Sequence, residues 1–352
     1  MVLTAAAGAI GAVATVAVLG IVGVFERDPP RVSVQPRPTA STDAARVATR
    51  VSPGIASVIA NTAGGGEHRG SGIAVGAHQI LTTTSVVDAS TGPASHIEIC
   101  LANGRWHVAT ETGRDAVTGL VLLDVPTLSV QPTEIAHTVA VQPGEWVAAV
   151  GRSASNSPWV TTGVITATGG FATDPNGVAR AGMITTSAEL GPDVRGGALV
   201  DQHGRVVGIL VGANPFDATS AAIPADMAHD VTMQLASNGT ASHGALGLMA
   251  ADTHERGVTI TDVTPGASAA TAGIRVGDRI LAVDGVPTPN TARLVAELHR
   301  RAAGQRVRIT VGRGTRKVSV TARLDDAGNQ LATRPGATPP TSIEPVAATG
   351  SR

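Results

Sequence analysis

The stretch Leu190-Gly191-Pro192-Asp193-Val194-Arg195-Gly196-Gly197-Ala198-Leu199-Val200 decides the fold. Its first half is a tight loop rich in glycine, and its second half is an apolar strand. The turn Asp201-Gln202-His203-Gly204 follows, and Arg205 to Val211 reads as the return arm of a hairpin. Upstream lie short apolar runs at Ile55–Ala60, Gly72–Val75, Ile80–Thr83, Ile97–Leu101, Arg105–Thr110, Leu120–Val125, Trp146–Val150, Trp159–Thr166 and Gly182–Thr186. Turn signals such as Asn103-Gly104, Pro143-Gly144 and Asn176-Gly177 separate them. Many short strands at this spacing predict a sandwich or barrel. Ala45–Val51 looks like a short lead-in helix, and no helical period dominates until Pro224–Ala236, where Ala225, Ala228, Val231 and Leu235 share a face.

Composition narrows the function. The 352 residues are 43% hydrophobic but only 2% aromatic, with no tyrosine, so the cores must be built from Val, Ile, Leu and Ala. A net charge of −1 gives no long-range attraction to nucleic acid. The single cysteine, Cys100, excludes an intramolecular disulfide and reads as a small buried apolar residue at the end of a strand. Ten histidines stand without ligand spacing, so neither a metal site nor a cofactor is expected.

The ends of the chain differ from its middle. Val2–Phe25 is uncharged and nearly all apolar, long enough at about 20 residues to span a bilayer, and it lacks the short apolar core and small-residue site of a cleaved leader. Residues 1–28 are therefore expected to form a transmembrane anchor and residues 29–42, with four prolines, a semi-extended linker. Residues 325–352, rich in Pro, Thr, Ala and Gly, read as a disordered tail.

The central loop resembles the nucleophile loop of trypsin-like proteases of the HtrA type, Asn-Pro-Gly-Asn-Ser-Gly-Gly-Pro-Leu-Val. Further landmarks match in order: Arg69-Gly70-Ser71-Gly72-Ile73, Ile80-Leu81-Thr82, Pro143-Gly144-Glu145-Trp146-Val147, Thr162-Gly163-Val164-Ile165 and Ala221-Ala222-Ile223-Pro224. The resemblance implies a mainly β fold, a trypsin-like double β-barrel over residues 43–236. In the same register the catalytic serine falls on Arg195, the histidine on Ser85 of Leu81–Val87, and the aspartate on Gly119 of Asp115–Leu122. The glycine that supplies an oxyanion-hole N–H falls on Asp193. A guanidinium cannot attack a carbonyl, and a carboxylate at the oxyanion position opposes developing negative charge. This reading expects a pseudoprotease and not an enzyme. It leaves open whether Arg195 pairs with Asp193 or Glu189 or stands exposed. Ser71 reads as a turn residue, and His78, seven residues before Ser85, as too far away to serve as a base.

After a polar linker, residues 237–242, the stretch 243–324 resembles a PDZ domain of the HtrA subtype. The motifs are Ala245-Leu246-Gly247-Leu248, Val263 to Ala270, Ala272 to Ile280, Val283-Asp284-Gly285 and Val307–Gly312. The resemblance implies an α+β domain that takes the C-termini of peptides or proteins. Leu246, Gly247 and Leu248 would receive the carboxylate and pair with the peptide, and Leu294 and Leu298 on Thr291–Arg301 would wall an apolar pocket. The expected function is a membrane-anchored, extracytoplasmic peptide-binding scaffold or regulator, with residues 2–25 in the cytoplasmic membrane. An active serine endopeptidase of envelope protein quality control and a non-proteolytic chaperone are the rivals. The resemblance also implies a trimer as one possible oligomeric state.

Overall fold

The computed structural model describes residues 43–328, apart from 63–64, 90–91, 136–140, 174–177, 214–219 and 253–256. The expected anchor, the Pro-rich linker and most of the expected tail lie outside the described residues. Among the described residues no helix is long and apolar enough to cross a membrane.

Helix α1 (Asp43–Val51) buries Val47 and Val51 and leads into the first barrel. That barrel consists of β1 (Ile55–Thr62), β2 (Glu67–Gly76), β3 (Gln79–Thr83), the one-turn helix α2 (Thr84–Val87), β4 (Asp88–Ala89), β5 (Gly92–Cys100), β6 (Trp106–Arg114) and β7 (Leu120–Asp124). The sheet runs β1-β2-β3-β7-β6-β5-β4, and a further β1–β5 pairing closes six of the strands into a ring. The second barrel contains β8 (Trp146–Arg152), β9 (Pro158–Thr173), β10 (Ala179–Thr186), β11 (Ala198–Asp201), β12 (Val206–Ala213) and β13 (Ser220–Pro224). It closes in the order β10-β13-β12-β11-β8-β9.

The continuous apolar runs have a packing reason. Along β7, Val121 and Leu123 fill the first barrel while Leu120 and Leu122 face the seam between barrels. Along β8, Val147 and Ala149 fill the second barrel while Ala148 and Val150 join the same seam. With both faces buried, neither strand shows the polar alternation of a half-exposed one. Helix α3 (Ala225–Asn238) caps the seam with Met227, Ala228, Val231 and Leu235. Cys100 ends β5, buried and free.

The third unit is built on β14 (Gly244–Ala245), β15 (Leu248–Asp252), β16 (Val258–Val263), helix α4 (Ser268–Thr271), β17 (Arg279–Val283), β18 (Val286–Pro287), helix α5 (Thr291–His299), β19 (Arg306–Arg313), β20 (Arg316–Arg323) and β21 (Asp325–Asp326). Strand β15 forms one edge of the sheet β15-β16-β17-β19-β20. Two boundaries differ from expectation. Helix α3 runs two residues into the stretch read as linker, ending where Gly239 adopts φ 74° and donates to the Leu235 carbonyl. Asp325 and Asp326, read as the start of the tail, pair with β14 instead.

Candidate functional site

The loop 190–197 lies in the seam and is held from both barrels. A single 3-10 turn, Pro192–Val194, is closed by Val194 N–H donating to the Gly191 carbonyl at 3.2 Å. Gly196 has φ 80°, and a Cβ there would come within 2.1 Å of the Ser71 carbonyl oxygen, so only glycine fits. From the first barrel, Ser71 N–H donates to the Arg195 carbonyl at 2.7 Å and Ser71 Oγ donates to the Asp193 carbonyl at 2.8 Å. Ser71 is thus a fully buried member of β2 that brackets the loop; the turn reading of this residue is corrected. His78 stands in the turn between β2 and β3, against the Leu128 carbonyl.

Arg195 is half-buried, and its Nε is enclosed without a hydrogen-bond partner. Burial lowers its pKa, with the charge of Asp193 acting in the opposite sense. No ion pair joins it to Asp193 or Glu189; the Asp193 carboxylate instead accepts from Ala154 N–H at 3.3 Å. Ser85 is buried in α2, with its Oγ sharing a hydrogen bond with Thr83 Oγ1 at 2.9 Å and donating to the Val211 carbonyl at 3.3 Å.

Gly119 has φ 77°, and the space above it is filled. A Cβ at this position would lie 2.5 Å from the guanidinium carbon of Arg180, a residue of β10 that is 5% exposed. Arg180 Nη1 donates to the carbonyls of Ala116 and Val117 at 3.0 and 2.7 Å, and Nη2 reaches Thr84 Oγ1 at 3.4 Å. Sequence reasoning missed Arg180. Its one signal was an arginine inside an otherwise apolar strand, opposite a glycine where the resemblance calls for a carboxylate.

The same loop, 115–119, is tied to the third unit. The Asp115 carboxylate accepts from Val117 N–H, Thr118 N–H and Thr118 Oγ1, and from His243 Nε2 at 2.9 Å. Both side chains of this pair are 2% exposed. Burial works against both charges, but the bond and charge of the partner outweigh it, so Asp115 is held below the usual carboxylate range and His243 above the usual histidine range. His243 Nδ1 is bonded to the His299 carbonyl. Burial first, and then the charge of His243, push His299 down to about 4.

The groove expected from the sequence would run between β15 and α5. Leu246, Leu294 and Leu298 are buried in the core of the third unit, and Leu248 packs against that core part-exposed. Gly247 adopts φ 67° at the turn before β15. Asn290 caps α5 by accepting from Arg293 N–H, and Asp252, the last residue of β15, accepts from Thr291 N–H at 2.6 Å, tying the end of β15 to the start of α5. The back of α5 rests on the second barrel. A Cβ on Gly182 would come 2.9 Å from Ala296, and Arg300 pairs with Asp226 at 2.6 Å. Among the described residues no cluster of His, Cys, Asp and Glu could hold a metal.

Comparison with known proteins agrees with this geometry. Residues 70–209 match the trypsin-like peptidase domain and residues 244–324 the PDZ domain. HhoA, a putative serine protease of Synechocystis, is 32% identical over 275 residues, covering 71% of this chain and 68% of its own. The chain belongs to the HtrA/DegP family of trypsin-like proteases with a C-terminal PDZ domain. Two further members of this HtrA-type family are similar to it. The periplasmic serine endoprotease DegP of Escherichia coli is 27% identical over 76% of this chain and 60% of its own. The serine protease PepD of Mycobacterium tuberculosis is 30% identical over 78% and 65%. The chain therefore spans about two thirds of the length of these relatives. Among solved structures, the HtrA-type protease AlgW with a tripeptide superposes with a TM-score of 0.66 at 26% identity, over 83% of this chain and 97% of its own. The expectation of a non-enzyme is corrected by these findings: the three relatives are named proteases or endoproteases, and the matched domain is a peptidase domain.

Proposed function

We propose that this HtrA-type protein works outside the cytoplasm, takes free peptide C-termini into its PDZ groove, and handles the captured chain at the barrel seam as a serine-type endopeptidase of envelope protein quality control. The observation that carries the reading is the order of the two domains in one chain, a peptidase barrel followed by a PDZ unit, as in the family. The periplasmic setting named for DegP supports the compartment. The uncharged run Val2–Phe25 supports a membrane anchor.

At the groove, β15 offers a sheet edge to which an extended peptide adds as a further strand. The turn Leu246–Leu248 would receive the carboxylate, and Leu248, Leu294 and Leu298 would set a preference for a small aliphatic last residue. At the seam, motif register assigns the relay positions to Ser85, Gly119 and Arg195 and the oxyanion position to Asp193. A seryl hydroxyl already bonded to Val211, a bare backbone and a guanidinium stand there, so any acyl transfer has to run through groups other than a Ser-His-Asp relay at those three positions.

Full-length protein in detergent, assayed on casein and a fluorogenic peptide with and without a fluorophosphonate, tests the peptidase activity. Reagent-sensitive turnover assigns it to this chain. Binding of free-acid peptides without turnover leaves the protein a peptide-binding member of its family, acting as scaffold or regulator. Equal affinity for free-acid and amidated peptides overturns the PDZ mode. Release of the protein from membranes by alkaline carbonate overturns the anchor.

A further inference from the structure

Arg195 is a cation placed where the fold meets extended peptide; the charge of Asp193 acts on it from two residues away, but no carboxylate among the described residues is in ion-pair contact with it. Its Nε is enclosed and unpartnered; its terminal nitrogens make no hydrogen bond or ion pair within the described residues, and they are not among the enclosed atoms, so they open to solvent. Its backbone is immobilised by Ser71 N–H on its carbonyl and by Gly196 N–H on the Leu210 carbonyl, both at 2.7 Å. The neighbouring carboxylate, Asp193, spends its Oδ2 on Ala154 N–H. The other guanidinium near the relay positions, Arg180, is engaged with carbonyl oxygens. A charged group with one edge desolvated is costly unless an anion completes it, and a planar guanidinium completes best with a carboxylate on two parallel bonds.

We propose that Arg195 is a carboxylate receptor at the barrel seam, binding an acidic group of an extended peptide. This rests on the reading that the seam handles peptides, and it names the chemistry selected there. The carboxylate comes either from an Asp or Glu side chain or from a peptide C-terminus. It is a site separate from the PDZ groove, which takes only C-termini.

The test uses full-length protein carrying Leu248→Asp, so that the PDZ groove does not compete. The probes are a terminally blocked peptide, Ac-Ala-Val-Glu-Val-Ala-NH2, its Gln counterpart, and Ac-Ala-Val-Val-Ala as free acid or amide, read by fluorescence anisotropy of labelled forms. The expected result is at least tenfold tighter binding of the Glu peptide than the Gln peptide, of the free acid than the amide, or of both, which identifies the source of the carboxylate. Arg195→Gln should erase the difference and Arg195→Lys retain part of it. Binding of a free-acid peptide by Arg195→Gln with Leu248 intact controls for folding. Equal binding of charged and uncharged probes, or a preference that survives Arg195→Gln, overturns the receptor. No binding of any probe overturns the reading of the seam as a peptide site.

Discussion

The barrel seam and the PDZ groove belong to the same chain, yet they hold their functional residues in opposite ways. The residues expected to wall the groove are core residues: Leu246, Leu294 and Leu298 are buried in the packing that makes the unit fold. In the seam it is the backbone that is rigidly built: Gly196 lies against the Ser71 carbonyl, Arg195 is held through its own carbonyl while its side chain makes no hydrogen bond among the described residues, and Gly119 leaves room for Arg180. Backbone geometry is fixed by many hydrogen bonds and close approaches acting together, so it survives replacement of the side chains it presents. A groove made of core residues cannot change them without losing stability.

The comparison can be broken most forcefully at Gly196. Gly196→Val meets the Ser71 carbonyl in a left-handed backbone and should cost at least ~4 kcal/mol, seen as a collapse of the thermal midpoint of the full chain. A fall below ~1 kcal/mol would show that the loop yields. Next comes the link between the two regions. Asp115→Ala leaves His243 buried without its partner and should cost about 3 kcal/mol, with hydrogen exchange rising in both 115–119 and 243–245. Exchange confined to one side would show that the regions are uncoupled.

The pH dependence of the same link follows from opposed shifts. His299 is lowered to about 4, so its contribution is full above the unfolded value of 6.5 and is lost as pH falls through about 4. His243 is raised, so its contribution is full below 6.5 and lost as pH rises through its folded value. Asp115 is lowered, and its contribution, full above 3.8, fails only in stronger acid. Stability should therefore pass through a maximum near pH 6.5, and His299→Asn should flatten the limb between 6.5 and 4, worth up to ~3 kcal/mol. An unchanged acid limb would remove His299 from the account.

Leu248→Asp should lower affinity for free-acid peptides at least a hundredfold, about 2.7 kcal/mol, while the barrel melts unchanged, because it sets a carboxylate against the ligand's own. Retained binding in titration calorimetry would move the groove elsewhere. The smallest effect is expected at Gly266, which has φ 77° but nothing within 4 Å of the point where a Cβ would stand; Gly266→Ala should cost only about 1 kcal/mol, against the much larger loss at Gly196. Equal losses of midpoint at the two glycines would make backbone conformation, and not the close approach to Ser71, the source of the loop's rigidity.

The sequence alone determined the order of elements and the two fold types, because strands with two buried faces and glycine-dependent turns leave local marks: β7 and β8 are unbroken apolar runs, and Gly196-Gly197 opens β11. It also assigned roles to positions 85, 119, 193 and 195 by register, and a peptide groove to four leucines, as expectations that the proposed experiments test. Arg180 above Gly119, Ser71 bracketing the loop and the Asp115–His243 pair were decided only by the tertiary structure. Arg180 bonds carbonyls 64 and 63 positions away, Ser71 reaches 122 positions to Asp193, and Asp115 reaches 128 to His243. A hydrogen bond between such distant groups leaves no periodicity behind. That helix α5 packs at once on the core of its own unit and on β10 likewise follows from packing, since a single amphipathic pattern cannot say which of two partners will cover it.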